Sequence, residues 1–158
     1  MADEYPFVAF RFDVQLLVPD PQRFGLSNPL CNALFSECDG LEMTMEPRTV
    51  REGGNNLQQT HLAGPVTYGQ LVLKRGMTGN LDLWKWFRAA AGGEGTGRGT
   101  TASGIVTLRD GAGTPKLRFN LSGCLPVKIK APALSGKDGA VAVEEMQIAY
   151  GSFTVEAA

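Results

Sequence analysis

Three cysteines, one histidine and one adjacent pair of glutamates are the side chains from which a catalytic or metal centre would have to be built. Cys31, Cys38 and Cys124 are odd in number and lack the close paired spacing of zinc or dithiol motifs, so they read as reduced, mostly buried thiols in a cytosolic setting. His61 lies in a polar, glycine-flanked run without the convergent partners that a metal site or a triad requires. Glu144 and Glu145 are neighbours, which in a regular strand point to opposite faces; only a bulge would turn them into an acid–base pair. The glycine clusters EGGNN (residues 52–56) and GEGTGRG (residues 93–99) lack the Lys-Ser/Thr that completes a phosphate-binding loop, and neither joins a strand to a helix. No G-x-S-x-G elbow is present. No catalytic, cofactor-binding or metal residue is therefore assigned, no cofactor is expected, and the chain does not read as an enzyme.

The bulk composition narrows the alternatives. At 158 residues the chain is large enough for one core and short for two, so residues 1–158 are taken as a single domain. Hydrophobic residues at 43% and charged residues at 20% fit an ordinary globular protein rather than a disordered or membrane-spanning one. A net charge of -1 gives no whole-molecule field that would favour nucleic acid or an anionic membrane. Twenty glycines and nine prolines imply many turns, hence β structure. The first residues are acidic where a cleaved signal would need basic ones, so export by that route is not expected.

Elements follow from periodicity. Phe10, Phe12, Val14, Leu16 and Val18 alternate with Arg11, Asp13 and Gln15, which makes residues 7–18 a half-buried strand. Leu41, Met43 and Met45 alternate with Glu42, Thr44 and Glu46; the strand continues through Arg51 with its former apolar side turned polar, so it outgrows its core. Residues 66–75 form another strand, residues 105–110 and 116–121 a hairpin around Gly111-Ala112-Gly113, and residues 125–130 a further strand. In the last, residues 140–155, Val141 and Val143 differ in parity from Met146, Ile148 and Tyr150, which predicts a bulge near Glu144-Glu145. One helix is expected within residues 79–93, with Thr78 or Asn80 as N-cap and Gly92 beyond its end. Leu81, Leu83, Trp84, Trp86, Phe87, Ala90 and Ala91 cover more than half its circumference, wider than one core contact needs. That predicts two packing surfaces, with Trp84 against the chain's own core and Trp86 against a long loop or an adjacent subunit.

The order of these features resembles the inner tube proteins of contractile injection systems. The resemblance rests on FSECDGL (residues 35–41) leading into a strand, then REGGNN (51–56), then LVLKRGMTGNLDLWKWF (71–87), and CLPVKIKAPALSGKDGAVAVEEMQIAYGSF (124–153). It implies a mainly β fold, a compact antiparallel β-barrel or sandwich with one flanking helix, assembling into a ring with a continuous inter-subunit β-barrel. It also implies homo-hexameric rings stacked as a tube inside a sheath, assembled in the bacterial cytoplasm as part of a phage tail or tail-like particle. The implied partners are the sheath protein, baseplate or spike adaptors, a tube terminator, and effector protein or DNA in the lumen, with no membrane. Under that reading, Arg48, Arg51, Glu52, Gly53, Gly54, Asn55 and Asn56 form the ring-to-ring joint, at the bend of a projecting hairpin or extended loop. Trp86 meets the neighbouring subunit. Glu42, Thr44, Glu145 and Gln147 line the lumen, on the expectation that the strands carrying them are partners. Two alternatives stand beside it: a tube-initiating adaptor between tube and spike, and a monomeric β-barrel that binds a small ligand.

Overall fold

The computed structural model describes residues 6–8, 11–51, 53–54, 57–92, 101–137 and 139–158. Eleven strands and one α-helix are present among them: β1 Phe12–Leu17, β2 Glu37–Asp39, β3 Met43–Met45, β4 Arg48–Val50, β5 Thr60–Leu62, β6 Val66–Tyr68, β7 Gln70–Gly76, α1 Asp82–Ala90, β8 Ala102–Arg109, β9 Pro115–Lys130, β10 Val143–Ala149 and β11 Ser152–Ala157. The segment between β1 and β2 carries two short 3-10 turns, Pro21–Phe24 and Leu30–Ala33.

All strand pairs are antiparallel, and β9 organises them. Its first half pairs with β8 and β11, and β8 with β1; its second half pairs with β10, which leads on to β7 and β2. The strand changes role near Gly123, whose φ of +64° is a conformation that side-chain-bearing residues rarely adopt. The path β1-β8-β9-β10-β7-β2 does not close on itself, so no barrel is completed by the described residues. Val14, Leu16, Leu71, Leu73, Leu121, Cys124, Met146 and Ile148 supply the core, and Leu83 and Trp86 reach it from α1. Alternating burial in β1, β7 and β10 follows from the pleat. All three thiols are free. Burial raises Cys31, Cys38 and Cys124 to about 11, 12 and 11 respectively.

Several expectations about strands change. Residues 116–121 and 125–130, expected as separate strands, are one continuous strand, β9, and the strand expected to run through Arg51 is broken at Glu46-Pro47 into β3 and β4. Residues 66–75 are two strands broken at Gly69, and residues 140–155 are two strands broken at Tyr150-Gly151. No bulge lies at Glu144-Glu145: β10 pairs with β7 in unbroken register, and its only shift, against β9, falls between Gln147 and Ile148. Val141 and Val143 are exposed, and Glu144 occupies the core parity shared by Met146 and Ile148. A charge in a core position mimicked a change of phase.

Candidate assembly surfaces

Residues 41–68 leave the main sheet as an arm. Its near part pairs β3 with β6, with Met43 opposite Tyr68 and Met45 opposite Val66; its far part pairs β4 with β5, with Arg48 opposite Leu62 and Val50 opposite Thr60. The glycine bend closes the far end, where Gly54 has φ of +91° and open space lies around both Gly53 and Gly54. Arg48 and Arg51 are exposed beside it, whereas Glu52, Asn55 and Asn56 lie outside the described residues. The projecting hairpin expected from the sequence is thus present. Met43, Met45, Val50, Leu62 and Val66 are each 42–55% exposed on it, an apolar load that the ribbon itself does not cover.

The base of the arm is built for close approach. A Cβ on Gly40 would fall 1.9 Å from the Gln70 carbonyl oxygen, and one on Gly64 would fall 1.8 Å from that of Glu46, so only glycine permits these crossings. The Tyr150 hydroxyl donates to the Gly40 carbonyl at 2.8 Å and accepts from the Glu42 N–H at 3.1 Å. Its ring packs on Tyr68 and Phe153, with centroids 5.7 and 5.6 Å away. A tyrosine at the break between β10 and β11 therefore holds the root of the arm.

The helix presents the second surface. The N-cap is Leu81, not Thr78 or Asn80, and it makes no side-chain cap bond; Asn80, one residue before it, accepts the Asp82 N–H at 3.0 Å, and Gly92 follows the helix end with φ of +86°. The Asp82 carboxylate is buried and accepts from the Ser27 hydroxyl and from the Cys31 N–H, tying the helix start to the 3-10 segment. Burial raises its pKa, but these hydrogen bonds and that to Asn80 outweigh it and hold the group below its usual range. Beneath the helix, Glu144 is 1% exposed, 3.3 Å from the Arg75 Nε, and accepts from the Trp84 Nε1 at 2.8 Å.

The two tryptophans differ from the expectation in burial, although Trp84 does bond to the chain's own sheet through Glu144. Trp86 is fully buried in the core, so it is not available to an adjacent subunit; Trp84 is half-buried at the edge. The apolar arc has two sides that sequence alone does not distinguish, and a buried Glu144 draws the indole N–H of Trp84 to one of them. Leu81, Trp84, Phe87, Ala91 and Ile129, with Lys85 and Arg88, line an open groove of about 660 Å³. The wide apolar arc thus leaves an uncovered side, with Trp84 on it.

Of the four residues assigned to a channel, Glu145 and Gln147 lie on the outer face of β10, opposite Lys74 and Val72 of β7 and Lys130 and Lys128 of β9. Glu42 and Thr44 are exposed at the root of the arm, where Thr44 pairs with Thr67. Their strands are not partners: β10 pairs with β7 and β9, and β3 pairs with β6. Sequence reasoning missed the lysines; the signal was present in the alternation Lys128, Lys130 on one strand and Lys74 on another.

An open β-sheet with one helix, a core-less projecting ribbon and exposed edges calls for partners. Residues 8–154 match the family described as T4-like virus tail tube protein gp19. The chain belongs to that family. It is also similar to a chain in the six-fold symmetrised cryo-EM structure of the anti-feeding prophage baseplate, at 26% identity, TM-score 0.79, over 98% of this chain and 97% of that one. A chain of the extended sheath–tube complex of the extracellular contractile injection system PVC is 20% identical, with TM-score 0.78 over 98% and 94% of the two chains. One from the tube-terminating cap of the anti-feeding prophage is 19% identical, with TM-score 0.79 over 100% and 95%; at these identities the likeness is one of fold. Comparison with curated proteins gives no match. Among the described residues no group of three or more His, Cys, Asp or Glu side chains could hold a metal ion, and no helix is long and apolar enough to cross a membrane.

Proposed function

We propose that this tail tube family member is a non-catalytic structural subunit that closes into hexameric rings, stacks them as the inner tube of a contractile injection particle, and conducts effector protein or DNA on sheath contraction. The observation that carries this reading is the arm: a long, apolar-bearing ribbon with no core of its own, on a chain of the tail tube family. Such a ribbon is marginal in isolation and gains its stability by lying on another ring. The outer face of β2, β7, β10 and β9 would form the lumen wall. Three acidic residues, Glu37, Asp39 and Glu145, and three basic ones, Lys74, Lys128 and Lys130, share it. A wall without net sign would let cargo slide rather than hold nucleic acid through its phosphates.

Negative-stain microscopy of the purified protein should show rings stacked into tubes. A species that light scattering finds monomeric at high concentration, with no rings, would overturn the proposal. Replacing Gly53 and Gly54 together by valine should leave circular dichroism unchanged and yield isolated rings, because Gly54 sits at positive φ where a β-branched residue is strained. A second reading, an adaptor ring at a tube end, is favoured by the likeness to a chain of a baseplate structure, at the highest identity of the three. Single or paired rings that never extend would decide for it.

A further inference from the structure

Beneath α1, β7 and β10 meet in a register that their apolar residues alone do not choose. On the core face Leu71 stands opposite Ile148, Leu73 opposite Met146, and Arg75 opposite Glu144. A one-residue slip would turn every side chain to the other face, but a slip of two keeps the buried residues of both strands on the core side. Met146 would then face Leu71, or Ile148 would face Leu73, at little loss of apolar contact. The charged rung is what opposes such a slip. Moved one way, Glu144 faces Leu73; moved the other, Arg75 faces Met146, and a buried charge loses its counter-charge in both cases. The far side of β10 does not decide the matter, since β9 and β10 already shift register between Gln147 and Ile148. Nor do the outer charges, where Glu145 stands opposite Lys74 and Lys130, because pairs open to water are weak.

We infer that the buried pair of Arg75 and Glu144 is a register pin: it selects one alignment of β7 on β10, and so the order of side chains on their outer face, without adding to stability. Arg75 is 6% and Glu144 1% exposed, with Nε and Oε1 3.3 Å apart. Neither Arg75 Nη1 nor Glu144 Oε1 has a hydrogen-bond partner among the described residues, so the cost of taking two charges out of water is incompletely offset. The bonds the pair does make serve placement. Glu144 Oε2 accepts from the Trp84 Nε1 at 2.8 Å, and Arg75 Nη2 donates to the Thr78 hydroxyl at 2.8 Å, which itself accepts the Asn80 N–H at 3.1 Å on the way into α1. The pin thereby also fixes the helix against the strands. A chain that folded in two registers would offer two different surfaces, whereas symmetric assembly repeats one. The inference goes beyond the reading above, because it concerns the single chain and is measured whether or not rings form.

Disulfide trapping reads the register directly. Residues directly opposite have Cβ atoms about 4.5–5.5 Å apart and diagonal ones about 7–8 Å, and a disulfide reaches only across the former. Val72→Cys with Gln147→Cys reports the alignment seen here; Val72→Cys with Glu145→Cys, or with Ala149→Cys, reports a slip of two in either direction. The three native thiols are held protonated by burial and do not compete. Oxidised with copper phenanthroline and mapped by peptide mass, chains with the pin intact should link positions 72 and 147 only. Arg75→Met with Glu144→Met replaces the pin by apolar side chains, in a Trp84→Phe background so that no indole N–H loses its acceptor. That chain should unfold at a denaturant midpoint no lower than Trp84→Phe alone, and slipped links should rise from none to roughly a tenth or more of the linked product. Arg75→Gln with Glu144→Gln keeps an acceptor for Trp84, should give slipped links in smaller yield, and carries the test if the methionine chain folds poorly. A folded variant linked between 72 and 147 alone would overturn the pin, as would slipped links in chains that retain it. A marked loss of stability in both variants would overturn it too, by showing that the pair supports the fold.

Discussion

The helix side of the molecule and the arm are made of similar residues and are held in different ways. Under α1, two carboxylates are buried and every helix position that faces inward meets core: Leu83, Trp86 and Ala89 are packed, and Asp82 is hydrogen-bonded. In the arm no described residue from 42 to 67 is buried, and its order comes from two short ladders and a tyrosine at its root. The first region is stabilised by what it excludes from water. The second carries apolar surface that no described residue covers, which the proposed assembly would lay against another copy. Stability and assembly should therefore separate by mutation along this boundary.

The largest effect is expected at the core tryptophan. Trp86→Ala removes a fully buried indole and should cost about 3–5 kcal/mol of unfolding free energy in denaturant titration. Trp84→Phe keeps a ring on the groove and removes only the indole N–H that the buried Glu144 accepts; it should cost less, about 1.5–3 kcal/mol, and should impair assembly. Equal losses for the two would erase the distinction between the helix's two sides.

Next is the buried carboxylate at the helix start. Asp82→Asn weakens hydrogen bonds to a charged acceptor and should cost about 1.5–3 kcal/mol. Its pKa is lowered in the folded chain, so its contribution is complete above the usual carboxylate range and is lost as pH falls from about 4 through the lower folded value. The variant should show a flatter decline of melting temperature over that acid window. An identical pH profile for wild type and variant would show that the tie between α1 and the 3-10 segment carries no charge-dependent stability.

Much of this division was legible in the residues, and what was not has physical causes. The polar turn of the strand after Met45 announced a segment beyond the core, and the glycine bend marked where it returns. The hairpin of β8 and β9 and the glycine after the helix were equally local, set by turn and cap chemistry within a few residues. Glu144 was unreadable as a core residue because its partners, Arg75 and Trp84, are 69 and 60 positions away, and charge at that place in a strand otherwise signals the solvent face. Which strands flank β10 is a question of topology, and a period-two pattern carries no information about it.

A smaller effect should mark the junction between the two regions. Tyr150→Phe keeps the ring against Tyr68 and Phe153 and deletes only the hydroxyl shared with Gly40 and Glu42. The expected loss is about 0.5–1.5 kcal/mol, accompanied by faster amide exchange at Gly69, whose N–H bonds the Glu42 carbonyl at 3.2 Å. Unchanged exchange at the root would mean that the glycine crossings alone hold the arm.

The smallest stability effect, and the sharpest separation, belongs to the arm itself. Val50→Thr replaces one methyl by a hydroxyl of similar shape, keeps the β-branch that suits a strand, and leaves the ladder partner Thr60 in place. Val50 is 44% exposed in the single chain, so the free subunit loses little buried contact, and the melting temperature of unassembled protein should change by less than the equivalent of about 0.5 kcal/mol. In a stacked tube the same side chain would be covered, and burying a hydroxyl without a partner there is unfavourable. Tubes of the variant should accordingly be shorter, or need more protein to form, at unchanged subunit stability. A melting temperature that fell by several degrees, with tubes of normal length, would show the arm supporting its own fold and not its neighbour's.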